Sequence, residues 1–84
     1  MKLMILNLPR DLEENELAKM FKKHGNIQSC TLVMDDKTGG SKGFGFVEMA
    51  LDHEGVAVIE ALNGFVMGKN RIRVKAAQEQ QQKI

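Results

Sequence analysis

The stretch Lys42-Gly43-Phe44-Gly45-Phe46-Val47-Glu48-Met49 constrains the fold more than any other part of the chain. In an extended strand successive side chains point to opposite faces, so Phe44 and Phe46 share a face with Lys42 and Glu48, while Val47 and Met49 point the other way. Such a strand belongs in a sheet with one dry face and one wet face. If helices cover the Val47 side, both rings lie on the open face. A large apolar ring kept in water needs a reason, and stacking on a flat apolar ligand is one.

The rest of the chain supplies the cover. Lys2 to Leu8 is short and apolar and is closed by Pro9, which predicts a strand. A helix follows, with Leu17, Met20 and Phe21 at helical spacing. Glu13, Glu14 and Glu16 stand in its first turn, Lys22, Lys23 and His24 in its last, and Gly25 stops it. Asp11 and Glu13 both qualify as its cap. Ile27 to Met34 has the composition of a second strand, and Asp35 to Ser41 that of a polar, flexible loop. After the third strand, Asp52 can cap a second helix whose stripe is Gly55, Val58, Ile59 and Leu62, ended by Asn63-Gly64. Gly55 would let that helix approach the sheet closely.

Arg71 to Lys75 alternates basic and apolar residues, the pattern of a half-buried fourth strand. The order strand, helix, strand, strand, helix, strand predicts an α+β fold, a ferredoxin-like βαββαβ sandwich with a four-stranded antiparallel sheet and both helices on one face. The expected sheet contribution to the core is Leu3, Ile5, Cys30, Leu32, Val47, Met49, Ile72 and Val74.

Eighty-four residues, 43% of them apolar, suffice for one domain, taken as residues 1–77, followed by a flexible Gln-rich tail at 78–84. Cys30 is the only cysteine, which excludes an intramolecular disulfide and a multi-cysteine metal site and fits a reducing compartment. His24 and His53 have no further ligands at metal-binding spacing, so no metal or cofactor is expected. Asn7, Pro9 and the charged residues after them interrupt the apolar start, which argues against a signal peptide. No apolar run approaches the roughly 18 residues that span a bilayer. The expectation is a cytoplasmic monomer that does not engage membranes.

The third strand resembles the octapeptide of the RNA recognition motif family, Lys/Arg-Gly-Phe/Tyr-Gly/Ala-Phe-Val-x-Phe/Tyr, at seven of its eight positions counting the free one. Leu3-Met4-Ile5-Leu6-Asn7-Leu8 is similar to the family's hexapeptide on the first strand, and Asp35 to Gly43 to its usual loop into the octapeptide. The resemblance covers about residues 2 to 76 and extends to small single-domain members found in bacteria. It implies that single-stranded RNA, and as a second ligand single-stranded DNA, lies on the open face with bases stacked on Phe44 and Phe46. Met4 stands where the hexapeptide normally offers a ring, so one platform is missing. Met49 replaces the last aromatic of the octapeptide but points inward.

Charge placement favours the same face. The net charge is only +1, yet Lys2, Lys42, Arg71, Arg73 and Lys75 all have outward parity against one acid, Glu48. Asp11, Glu13, Glu14, Glu16, Asp52, Glu54 and Glu60 fall on or beside the helices. Thr31 is a neutral neighbour of the rings, and Asn7 is expected to bond backbone locally around its turn. Met4, Leu6 and Val33 form an apolar strip that could instead hold a protein segment. Phosphate-loop chemistry finds no support, because no Gly-Lys-Ser/Thr sequence occurs. Small acyl-phosphate hydrolases share this element order, but Pro9-Arg10-Asp11 stands where their glycine-rich phosphate turn would be, and no catalytic residues are expected.

Overall fold

The computed structural model describes residues 1–77, so the tail expected at 78–84 lies outside the described residues. The elements are β1 (Lys2–Leu6), α1 (Glu14–Lys22), β2 (Ile27–Met34), β3 (Ser41–Met49), α2 (Asp52–Leu62), β4 (Val66–Met67), β5 (Asn70–Arg71) and β6 (Arg73–Ala76). Four strands form an antiparallel sheet in the order β2-β3-β1-β6, and β4 and β5 make a separate hairpin. This is the ferredoxin-like arrangement that the order of periodicities predicts.

One face of the sheet is dry. Leu3, Ile5, Val47, Met49, Ile72 and Val74 meet Leu17 and Phe21 of α1 and Val58 and Leu62 of α2 in a single buried cluster. Gly45 makes the packing possible: a Cβ there would stand 2.6 Å from the Thr31 carbonyl oxygen and 3.5 Å from the Leu17 side chain. Polar side chains also dock α1 on β2. The Glu14 carboxylate accepts from the Leu32 backbone N–H at 2.8 Å, and the Cys30 thiol faces the Glu14 carbonyl at 3.9 Å. Cys30, expected in the core, is therefore only half-buried.

Several local expectations are corrected. The run from Arg71 to Lys75 is not one strand, because Ile72 turns its backbone away from β1: its N–H donates to Phe65 O at 2.9 Å and its carbonyl accepts from Gly64 N at 2.8 Å. Only Arg73–Ala76 pairs with β1. Glu13, not Asp11, caps α1, its N–H donating to Glu16 Oε1 at 2.9 Å. Leu51 is the cap position of α2, with Asp52 the first helical residue and no side-chain capping bond. Gly55 is buried against Met1, whose Cβ lies 3.1 Å from where a Gly55 Cβ would be, and Met1 exchanges backbone hydrogen bonds with Met49 of β3, so the approach of α2 is to the end of the sheet.

The polar β2–β3 loop carries its own hydrogen bonds: Asp35 N to Gly40 O at 2.7 Å, Gly39 N to Asp35 O at 2.8 Å and Lys37 N to Asp35 Oδ1 at 2.8 Å. Asn7 also departs from expectation. It adopts a left-handed backbone (φ 63°), and its amide Nδ2 donates to Arg71 O, 64 residues away, at 2.9 Å. No helix among the described residues is long and apolar enough to cross a membrane.

Candidate nucleic-acid interface

Strand register arranges the open face in rows. Thr31 of β2 pairs with Phe46 of β3, Phe46 with Met4 of β1, and Met4 with Lys75 of β6. The row beyond it runs Ser29, Glu48, Lys2, and on the opposite side Leu6 pairs with Arg73. Phe44 follows Phe46 by two residues, so it shares the face by the same parity that buries Val47 and Met49. Met4, Leu6, Phe44 and Phe46 are half-buried: each is supported from below by the core and open above.

The two rings stand edge to face, with centroids 6.2 Å apart and planes 82° apart. Such a pair is a favourable aromatic arrangement and presents two separate platforms, not one continuous plane. Lys2 Nζ sits 5.1 Å from the Phe46 centroid, over the ring, a cation–π contact that places a positive charge against the platform. Lys42, Arg73, Lys75 and Thr31 are exposed around the rings, while Glu48 is half-buried. Four cations against one carboxylate leave the sheet at 4 − 1 = +3. Arg71 is the exception among the residues singled out from sequence. It is exposed but belongs to the β4–β5 hairpin, paired with Val66. Val33 falls in a register shift of β2 between Leu32 and Met34, so it does not continue the rows.

Sequence reasoning gave three residues no part in binding here. Arg10, Asn7 and Asn70 line a cleft together with Leu6, Lys42 and Phe44. Asn70 Nδ2 donates to Asn7 O at 3.1 Å, which ties the β4–β5 hairpin to the end of β1. The only local hint was an asparagine at the end of a strand, a residue type that tolerates left-handed backbone. Among the described residues no group of three or more His, Cys, Asp or Glu side chains is placed to hold a metal. The thiol of Cys30 is pushed above its ordinary pKa by burial and then by Glu14, so it is a poor nucleophile. Flat apolar platforms, hydroxyl and carboxylate groups at their edges and cations around them suit a stacked, charged, single-stranded polymer.

Comparison with known proteins points the same way. The model of the RNA recognition motif matches residues 3–73. The 28 kDa chloroplastic ribonucleoprotein of Spinacia oleracea is 40% identical over 73 residues, which cover 87% of this chain and 31% of that protein. The chain thus spans about a third of the length of this curated relative. Among solved structures, the complex of Sex-lethal protein with RNA superimposes with a TM-score of 0.89 at 31% identity, over 95% of this chain and 48% of that one. The crystal structure of RNA-binding protein PG1 superimposes with a TM-score of 0.89 at 30% identity, over 98% and 99% of the two chains. With the octapeptide strand central in the sheet and its rings outward, the chain belongs to the RNA recognition motif family.

Proposed function

We propose that the domain binds single-stranded RNA across its open sheet, two bases stacking on Phe44 and Phe46 with Lys2, Lys42, Arg73 and Lys75 near phosphates or base edges, in a post-transcriptional role. The observation that carries this reading is the pair of outward rings at the centre of a +3 face whose opposite side is fully covered. Single-stranded DNA is the second ligand that the platforms admit, since every base has a stacking face. The domain performs no chemistry; it works as a cytoplasmic monomer without metal or cofactor. Thr31 and Glu48 offer polar groups to base edges, Glu48 as an acceptor for exocyclic amino groups.

With two platforms and few cations the affinity is expected to be of micromolar order, about −8 kcal/mol. About two to four phosphate contacts give a slope of log affinity against log salt near −1.4 to −2.8. The test is fluorescence anisotropy of a labelled random-sequence RNA pool titrated with the wild type and with Phe44→Ala/Phe46→Ala at two salt concentrations. Binding that the double variant loses supports the reading. No binding by a folded wild type refutes it and moves attention to a protein segment on the Met4 and Leu6 strip.

A further inference from the structure

We propose that the cleft between Arg10, Lys42 and Asn70 is a separate nucleotide subsite, which takes the phosphate and base edge of the residue next to the base on Phe44. It rests on the sheet-binding reading and extends the path of the strand off the sheet. The cleft is continuous with the platform, since Phe44 and Leu6 form one of its walls and Asn7, Arg10, Lys42 and Asn70 the others.

Arg10 is held in place without being neutralised. Gly43 has φ +87°, and a Cβ there would meet Arg10 Nε at 3.2 Å and Leu8 O at 3.4 Å, so the guanidinium lies across the β3 backbone between Lys42 and Phe44. The turn behind it is fixed by Leu12 N donating to Pro9 O at 3.1 Å, and the strand beneath by Leu8 N donating to Gly43 O at 2.8 Å. Among the described residues neither the Arg10 nor the Lys42 side chain makes a hydrogen bond or ion pair, although Asp11 and Glu13 follow Arg10 closely. Two unneutralised cations beside a stacking ring suit a phosphate, and the planar fork of Arg10 can grip two of its oxygens.

The asparagines supply the other half. Asn7 Nδ2 is committed to Arg71 O at 2.9 Å and Asn70 Nδ2 to Asn7 O at 3.1 Å, which fixes both amides. Their Oδ1 atoms have no partner among the described residues. They are side-chain acceptors at a cleft whose charged side chains, Arg10 and Lys42, are donors, and they fit the amino and imino N–H groups of a base edge.

The experiment is an anisotropy titration over a salt series with random-sequence RNA of two lengths: about two nucleotides, enough for the two stacked bases alone, and about eight. With the longer RNA, Arg10→Ala should bind several-fold more weakly, and its salt slope should fall by ~0.7, the loss of one single-strand phosphate. Arg10→Lys should keep the slope, and the short RNA should not distinguish these proteins. Lys22→Ala, an exposed cation on α1, should change nothing. An unchanged slope in Arg10→Ala, or an equal fall in Lys22→Ala, overturns the subsite. Phe46→Ala separates the failures: if it weakens binding while Arg10→Ala does not, only the subsite is wrong, and if neither matters the sheet reading falls with it.

Discussion

Replacing Met4 by phenylalanine should strengthen RNA binding, and the size of the gain follows from where Met4 sits. It lies in the central row, paired with Phe46 on one side and Lys75 on the other, half-buried with Leu3 and Ile5 anchoring its strand in the core. Strands are ~4.8 Å apart, so a ring at this position would stand beside Phe46 at the same height above the sheet. A base stacked on an aromatic ring contributes about 1 to 3 kcal/mol. The thioether already present retains part of that, since sulfur–aromatic contacts contribute about 0.3 to 1.5 kcal/mol. The difference is about 0.7 to 1.5 kcal/mol, roughly a 3- to 13-fold gain in affinity. An apolar exchange of similar volume should cost the fold less than about 1.5 kcal/mol. Anisotropy titration of wild type, Met4→Phe and Met4→Leu with one RNA long enough for three bases reads the effect, with circular dichroism as the control for folding. A folded Met4→Phe that binds no better refutes the reasoning. So does an equal gain in Met4→Leu, which would assign the effect to apolar area and not to a stacking plane.

Gly45→Ala should destabilise the domain by about 1 to 3 kcal/mol, because the new Cβ runs into backbone atoms at both Thr31 and Leu32, which cannot rotate away. A thermal melt should move down by about 4 to 24 °C, and an unchanged midpoint would show that β2 can shift to admit the methyl group. Alkali should weaken the fold through Cys30. Burial, and then Glu14, raise its thiol pKa in the folded state, so its contribution is complete below the unfolded value of about 8.5 and is lost as pH rises through the higher folded value. Unfolding midpoints in urea measured upward from about pH 8 should therefore fall less in Cys30→Ala than in the wild type; parallel curves would remove the thiol from the explanation.

What could be read from the chain depended on whether the information was local. Alternation along Lys42–Met49 assigns each side chain to a face once a strand forms, so the outward rings and the inward Val47 and Met49 were legible directly. The fourth strand was not. Its alternation is regular from Arg71 to Lys75, but whether Ile72 pairs with β1 depends on Gly64 and Phe65 taking its backbone bonds, and on Asn7 holding the Arg71 carbonyl from 64 residues away. Arg10 was invisible for a similar reason. A lone arginine after a strand has many possible surroundings, and it becomes part of a site only because the positive φ of Gly43 leaves its backbone bare for the guanidinium to cross. The cap of α1 was ambiguous because Asp11 and Glu13 are both acidic. Each stands three residues before a glutamate, but Glu14 is committed to the Leu32 N–H, whereas Glu16 answers the N–H of Glu13.

The near-zero net charge also becomes intelligible when the acids are followed into the fold. Glu14 accepts from the Leu32 N–H and Glu54 from the Asn26 N–H at 3.1 Å, so two carboxylates of the helices fasten loop and strand backbone on the side away from the rings. Glu16 and Asp52 join them in the first turns of α1 and α2, where negative charge also favours the helix. The same residues that stabilise the helical layer therefore leave the opposite face positive, and total charge hides the separation. Screening over ~10 Å at ordinary salt weakens the distant acids more than the adjacent cations for a strand lying on the sheet. Glu48 is the one carboxylate inside the rows, at the Ser29 and Lys2 end. Glu48 thus faces a cation at its own end, Lys2, while Lys42 and Arg10 stand at the other end beyond Phe44. On the proposed path, a single strand crossing the platforms would leave the sheet at that end.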